Sequence, residues 1–154
     1  MVDEETLRNR VIRIIAATRF PFVDQEDWGE CYATIVNDEI KRRGLDTENA
    51  VIYPSIVITK PDGRVQEVAD VALAKEVNSS SVSRWRLLSE RTGMGEREKK
   101  FFLYVPPGSE AKAAKLLDDN RISYAGLRVY LIRDGILSVT PIKTPDSDYD
   151  HRKT

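Results

Sequence analysis

The sequence predicts an α/β domain built on one mixed β-sheet, and three observations carry that expectation. Apolar residues recur at helical spacing near the N-terminus and in three later segments. β-rich runs meet in pairs at Lys60-Pro61-Asp62-Gly63 and at Arg133-Asp134-Gly135. A wholly apolar run, Phe101-Phe102-Leu103-Tyr104-Val105, stops at Pro106-Pro107. Helical periods interleaved with hairpins and a buried strand indicate helices packed on a sheet that mixes parallel and antiparallel pairs.

The elements follow in order. From Thr6 to Thr18, Leu7, Val11, Ile14, Ile15 and Thr18 share a helical face while Arg8, Arg10 and Arg13 lie on others, which predicts an amphipathic helix ended by Phe20-Pro21-Phe22. A second helix is expected over Glu26 to Arg43, with Trp28, Tyr32, Ile35, Val36 and Ile40 on one side and Gly44 as its stop. Strands are expected over Ala50–Thr59 and Arg64–Leu73, joined by a turn in which proline presets one angle and glycine accepts positive φ.

Asn78 and Ser79 to Ser81 then offer N-caps for a third helix through Val82, Trp85, Leu87 and Leu88. After a charged loop comes the Phe101 strand. Next, Ser109 opens a helix carrying Ala113, Leu116 and Leu117, and Leu127–Ile132 with Ile136–Ile142 form a closing hairpin.

At 154 residues, with 32% charged and 41% hydrophobic residues, the chain is expected to form one domain over 1–145, with a disordered polar tail at 146–154. No apolar run is long enough to cross a membrane, and no secretion signal is evident, so no membrane partner is expected. The single Cys31 cannot form an internal disulfide, which suits a reducing, cytoplasmic setting. The single His151 lies in the tail, so Cys-His or Ser-His-Asp hydrolysis and a His/Cys zinc site are not expected. Carboxylate chemistry with a hard cation is the class left over. The net charge of −1 gives no global attraction to nucleic acid.

Tyr53-Pro54-Ser55-Ile56-Val57-Ile58, the turn, and Val65-Gln66-Glu67-Val68-Ala69-Asp70 together resemble the PD-(D/E)xK, or restriction-endonuclease-like, superfamily. The resemblance covers roughly Trp28 to Ile132. It implies a three-layer α/β/α fold around a central mixed sheet, and two carboxylates holding Mg²⁺ beside a lysine that activates water. The family motif has Pro-Asp and then an acid, any residue, and Lys. The corresponding triplet here is Ser55, Glu67 and Ala69, so one metal ligand is a neutral hydroxyl and the lysine is absent. Asp70 points to the other face of the strand from Glu67 unless a bulge intervenes. The Pro61-Asp62 pair sits in a turn, where Asp is common for backbone reasons.

If catalysis survives, the resemblance implies Glu67 and Ser55 at the site, Lys75 or Arg84 as a relocated cation, and Glu67 with Glu30 or Glu39 as ligands for Mg²⁺. These charges also fit an ordinary solvated surface. Three functions are consistent with the sequence: a nuclease-like domain with a degenerate, inactive site serving as a binding or assembly module; a Mg²⁺-dependent nuclease with a rearranged site; or a protein-interaction subunit with no nucleic-acid role. The first is the leading expectation, with no cofactor unless active and a nucleic acid or a protein as partner. A homodimer through the N-terminal helix is expected if that helix leaves its apolar face outside the core.

Overall fold

The computed structural model describes residues 3–19, 33–47, 50–91 and 101–143. Helix α1 spans Glu4–Arg19. Asp3 caps it: its carboxylate accepts the Thr6 N–H at 2.8 Å and its carbonyl accepts that of Leu7 at 3.0 Å. Glu4 and Glu5 place negative charge at the positive end of the helix dipole.

The helix expected over Glu26 to Arg43 is corrected by the structure. Ala33–Val36 form a strand, β1, and the chain then leaves as a loop. Thr34-Ile35-Val36 is a β-branched run, stiff at χ1 and well suited to a pleated surface. Ile40, assigned above to the apolar side of that helix, is 61% exposed. Trp28, Glu30, Cys31 and Tyr32 lie outside the described residues.

The Ala50–Thr59 run is divided at Pro54. Leu45–Asp46 (β2) and Val51–Ile52 (β3) form a small antiparallel ribbon, and Ile56–Thr59 form β4. The hairpin partner of β4 is β5, Val65–Val71. Gly63 has the positive φ of +90° that the turn demands. Two short 3₁₀ turns, Ala74–Glu76 and Ser79–Ser81, lead into α2, Val82–Glu90. Asn78 caps the second of these turns, accepting the Ser80 N–H at 2.8 Å. Then come β6 (Phe101–Val105), α3 (Glu110–Asp119), β7 (Gly126–Arg133) and β8 (Ile136–Lys143). Asp134 and Gly135, both at positive φ, close the last hairpin.

Six strands make the main sheet in the order β1-β4-β5-β6-β7-β8. The β1/β4, β4/β5 and β7/β8 pairs are antiparallel, while β6 is parallel to both β5 and β7. Hence β6 is apolar on both faces, and all five of its residues are buried. One hydrophobic cluster joins Trp85 and Leu88 of α2 and Leu117 of α3 to Val57, Val68, Leu103 and Leu127 of the sheet. A second joins Val11, Ile12 and Ile15 of α1 to the alternate residues Ile56, Ile58, Ala69, Phe102 and Tyr104. The alternation assigns the two clusters to opposite sheet faces. Val11, Ile12 and Ile15 of α1 therefore lie inside the core, while Leu7 and Ile14 are half-buried. Among the described residues no helix is long and apolar enough to cross a membrane.

Candidate functional site

A bulge in the β4–β5 hairpin decides which residues meet. Thr59 faces Val65, yet Ile58 faces Glu67, so the returning strand carries one extra residue, Gln66. Beyond the bulge Val57 faces Val68 and Ile56 faces Ala69. Continued by one position, this register sets Asp70, and not Ala69, opposite Ser55.

Asp70 and Ser55 are in direct contact. Oδ1 of Asp70 accepts the Ser55 N–H at 3.2 Å and the Ser55 hydroxyl at 3.3 Å, and the same hydroxyl oxygen accepts the Val71 N–H at 2.9 Å. Arg84, in the first turn of α2, grips Asp70 through two nitrogens of its guanidinium: Nε donates to Oδ2 at 2.8 Å and Nη2 to Oδ1 at 2.9 Å. Nη2 also donates to the Tyr53 carbonyl at 2.7 Å. The Asp70 charge raises the Arg84 pKa against the opposing effect of burial.

The segment before β4 is held from behind by Asn37, which follows β1. Its amide nitrogen donates to the Pro54 and Arg43 carbonyls, each at 2.7 Å. Its amide oxygen accepts the N–H groups of Arg42 and Arg43 at 2.8 and 3.0 Å, and its own backbone N–H donates to the Ser55 carbonyl at 3.0 Å. One buried side chain thus ties the loop of residues 37–44 to the strand that carries Ser55.

These residues form one wall of a cleft of about 400 Å³. The facing wall is α1, whose Glu5, Arg8, Asn9 and Ile12 recur at helical spacing. Arg8 is gripped by Glu5 and by Glu76, the latter at 2.6 Å. Burial works against its charge, but hydrogen bonds to Glu76 and Glu5 outweigh burial and raise its pKa. Glu76 in turn accepts the Leu73 N–H at 2.8 Å. Lys41 lines the same space, as does Tyr53. The charged cleft residues are three carboxylates (Glu5, Asp70, Glu76) and three cations (Arg8, Lys41, Arg84), so they cancel.

The residues expected at a surviving catalytic site are not gathered in this cleft. Glu67 is 0% exposed and faces Ile58 on the α1 side of the sheet, opposite to Asp70. It also lies three residues from Asp70, roughly 10 Å along a strand. The Lys75 side chain is 65% exposed, and its ammonium lies 3.9 Å from Glu4. Glu39 is exposed in the loop after β1. Asp62 is a turn residue, its carboxylate bound to the Arg64 backbone and guanidinium. Glu30 falls outside the described residues. Of the residues expected at the site, Ser55 and Arg84 line the cleft; Asp70, which was not expected there, joins them by bonding to both.

This donor set does not suit Mg²⁺. The ion needs several oxygen ligands free to turn toward it, whereas Asp70 is already engaged by the Arg84 fork and by Ser55. Among the described residues no group of three or more His, Cys, Asp or Glu side chains is placed to hold a metal. Nor does Ser55 have an activating base of the usual kind, since it gives its proton to a carboxylate held by a guanidinium.

The signal for Asp70 lay in the hairpin register, which requires knowing that Gln66 bulges. A further buried cation escapes any motif. Arg128 on β7 folds back over Gly126, where an added Cβ would come within 2.5 Å of its guanidinium, and it sits 5.6 Å from the Phe102 ring centroid. Burial pushes its pKa down to about 10.

No protein-family model matches the chain, and no curated protein matches it. Its structure is similar to the crystal structure of the YaeQ protein from Pseudomonas syringae, with a TM-score of 0.40 and 15% sequence identity over 90% of this chain and 71% of that one.

Proposed function

We propose that the chain is a restriction-endonuclease-like module, with a three-layer α/β/α arrangement, that binds a partner in its cleft and does not cut nucleic acid. The order helix, three antiparallel strands (β1, β4, β5), helix, parallel strand (β6) supports the fold assignment. So does the division of the core between α1 on one sheet face and α2 with α3 on the other.

The reading of function rests on one observation: the carboxylate beside Ser55 is bound by Arg84 through two hydrogen bonds of 2.8 and 2.9 Å. A guanidinium occupies the surroundings where a nuclease of this kind would need a divalent cation. With Ser55 in place of a second acid, the site has neither the negative charge nor the free oxygens to collect one.

The test is direct. Purified protein incubated with Mg²⁺ or Mn²⁺ and single- or double-stranded DNA or RNA should leave every substrate intact. Cleavage lost in Asp70→Asn or in Glu67→Ala would overturn the proposal.

A protein partner is favoured over a nucleic acid by the cancelling charges of the cleft. Phosphate recognition draws on an excess of Lys and Arg and weakens steeply with salt. Filter binding of oligonucleotides at low salt should therefore show no retention.

A further inference from the structure

Most polar groups lining the cleft are already engaged with one another. Ser55, Asp70 and Arg84 form one closed set, Arg8 with Glu5 and Glu76 another, and both ends of the Asn37 amide are occupied. Asn9 differs. It is only 7% exposed, it lines the cleft from α1, and its side chain has no hydrogen-bond partner among the described residues. The amide atoms open onto the cleft and are bound to no neighbouring side chain or backbone group among those residues, so they are free to pair with a ligand. The chemistry of the amide is specific: one N–H₂ donor and one carbonyl acceptor, side by side.

Two other features of the cleft narrow the ligand. Lys41 donates to the Asp38 carbonyl at 2.6 Å but has no carboxylate partner among the described residues, so one ammonium remains to receive one anion. Val51, Ile52 and Tyr53 give the rim an apolar side, with Val51 and Tyr53 among the exposed large hydrophobics of the molecule. The ligand chemistry is thus an amide, a nearby carboxylate and a small apolar group.

We infer that the cleft binds a polypeptide C-terminus or a free N-acyl amino acid, with Asn9 pairing with the last amide group, Lys41 meeting the terminal carboxylate and the Val51–Tyr53 rim covering an apolar side chain. A trans peptide group presents its N–H and C=O on opposite sides, so the Asn9 amide meets one of them, its oxygen accepting the N–H or its nitrogen donating to the C=O. A volume of about 400 Å³ has room for roughly two extended residues at about 3.3 Å each. The inference rests on the binding-module reading and names its partner.

Isothermal titration calorimetry on the full chain tests it with four probes: acetyl-Gly-Ala-Val with a free carboxylate, the same peptide ending in a carboxamide, acetyl-valine, and uridine 5′-monophosphate. The free-carboxylate peptide should bind, and the carboxamide should bind about tenfold more weakly, the loss of one charge-assisted contact. Asn9→Ala should weaken the peptide about tenfold without lowering the melting temperature, because the amide it removes has no partner to lose. Lys41→Ala should abolish the distinction between acid and carboxamide.

Acetyl-valine equal to the tripeptide would assign the site to a free N-acyl amino acid, and a clear preference for the tripeptide to a polypeptide end; both support the inference. It is overturned by no peptide binding up to about 5 mM, by unchanged binding in Asn9→Ala, or by a preference for the nucleotide. The nuclease assay is independent: absence of peptide binding with intact oligonucleotides refutes only this inference, and cleavage with peptide binding refutes only the claim of inactivity.

Discussion

At the residue scale, the Asp70–Arg84 pair is the contact on which the cleft wall beside Ser55 is built. The Asp70 side chain is almost fully enclosed and its oxygens meet four donors, from Ser55 and Arg84. Removing one member of a buried pair is more damaging than the pair itself is stabilising, because the survivor is left desolvated. Arg84→Ala should lower unfolding free energy by about 2 kcal/mol. That is below the loss for a fully buried pair, since the Arg84 side chain is 37% exposed and water can replace part of what is lost. Arg84→Lys should recover less than half, because a point ammonium cannot reproduce the two-pronged contact. In urea denaturation, Asp70→Ala with Arg84→Ala should cost less than the two single changes added together. A neutral Arg84→Ala, or full rescue by lysine, would mean that the pair is only a surface contact.

At the element scale, the cleft depends on the loop of residues 37–44 being fastened to the strand before β4, and Asn37 is the fastening. Asn37→Ala removes four side-chain hydrogen bonds in a nearly enclosed position. It should cost about 2 kcal/mol, with the loss shared because the freed groups of Arg42 and Arg43 can reach water. Hydrogen exchange should report faster exchange at the Arg42 and Arg43 amides and unchanged exchange in β6; uniform acceleration instead would mean that the loop unfolds only with the whole domain. The same region marks where sequence reasoning reaches its limit. The Phe101–Val105 strand and the Gly126–Lys143 hairpin were legible because a continuous apolar run and an Asp-Gly turn each have one structural meaning. Residues 33–43 were not, since Ile35, Val36 and Ile40 satisfy a helical period while Thr34-Ile35-Val36 equally satisfies a strand, and tertiary pairing with β4 decided between them. The site was half legible. Ser55 follows from Pro54, but its partner depends on a single bulged residue, and one position of slip carries every later side chain of β5 to the other face.

At the scale of the whole molecule, the placement of α1 connects the core to the site. One stripe of the helix, Val11, Ile12 and Ile15, is buried against the sheet, while Glu5, Arg8 and Asn9 face the cleft. Val11, Ile12 and Ile15 are therefore packed within one chain, and a dimer contact through α1 would have to use its other residues. The consequence can be measured. Ile15 is 0% exposed and packs within the cluster of Ile56, Ile58 and Tyr104. Ile15→Ala should create a cavity and lower stability by about 3 kcal/mol. Because the contact lies within one chain, the loss should be the same in dilute and concentrated protein; a contact between chains would make the melting temperature rise with concentration by mass action. Denaturation across a hundredfold range of protein concentration separates the two cases. A concentration-dependent midpoint, abolished in Ile15→Ala, would return α1 to the role of an interface. A constant midpoint with the full loss would make α1 the fixed wall against which the cleft is built, so that a ligand bound beside Asn9 and Arg8 is held by the folded core itself.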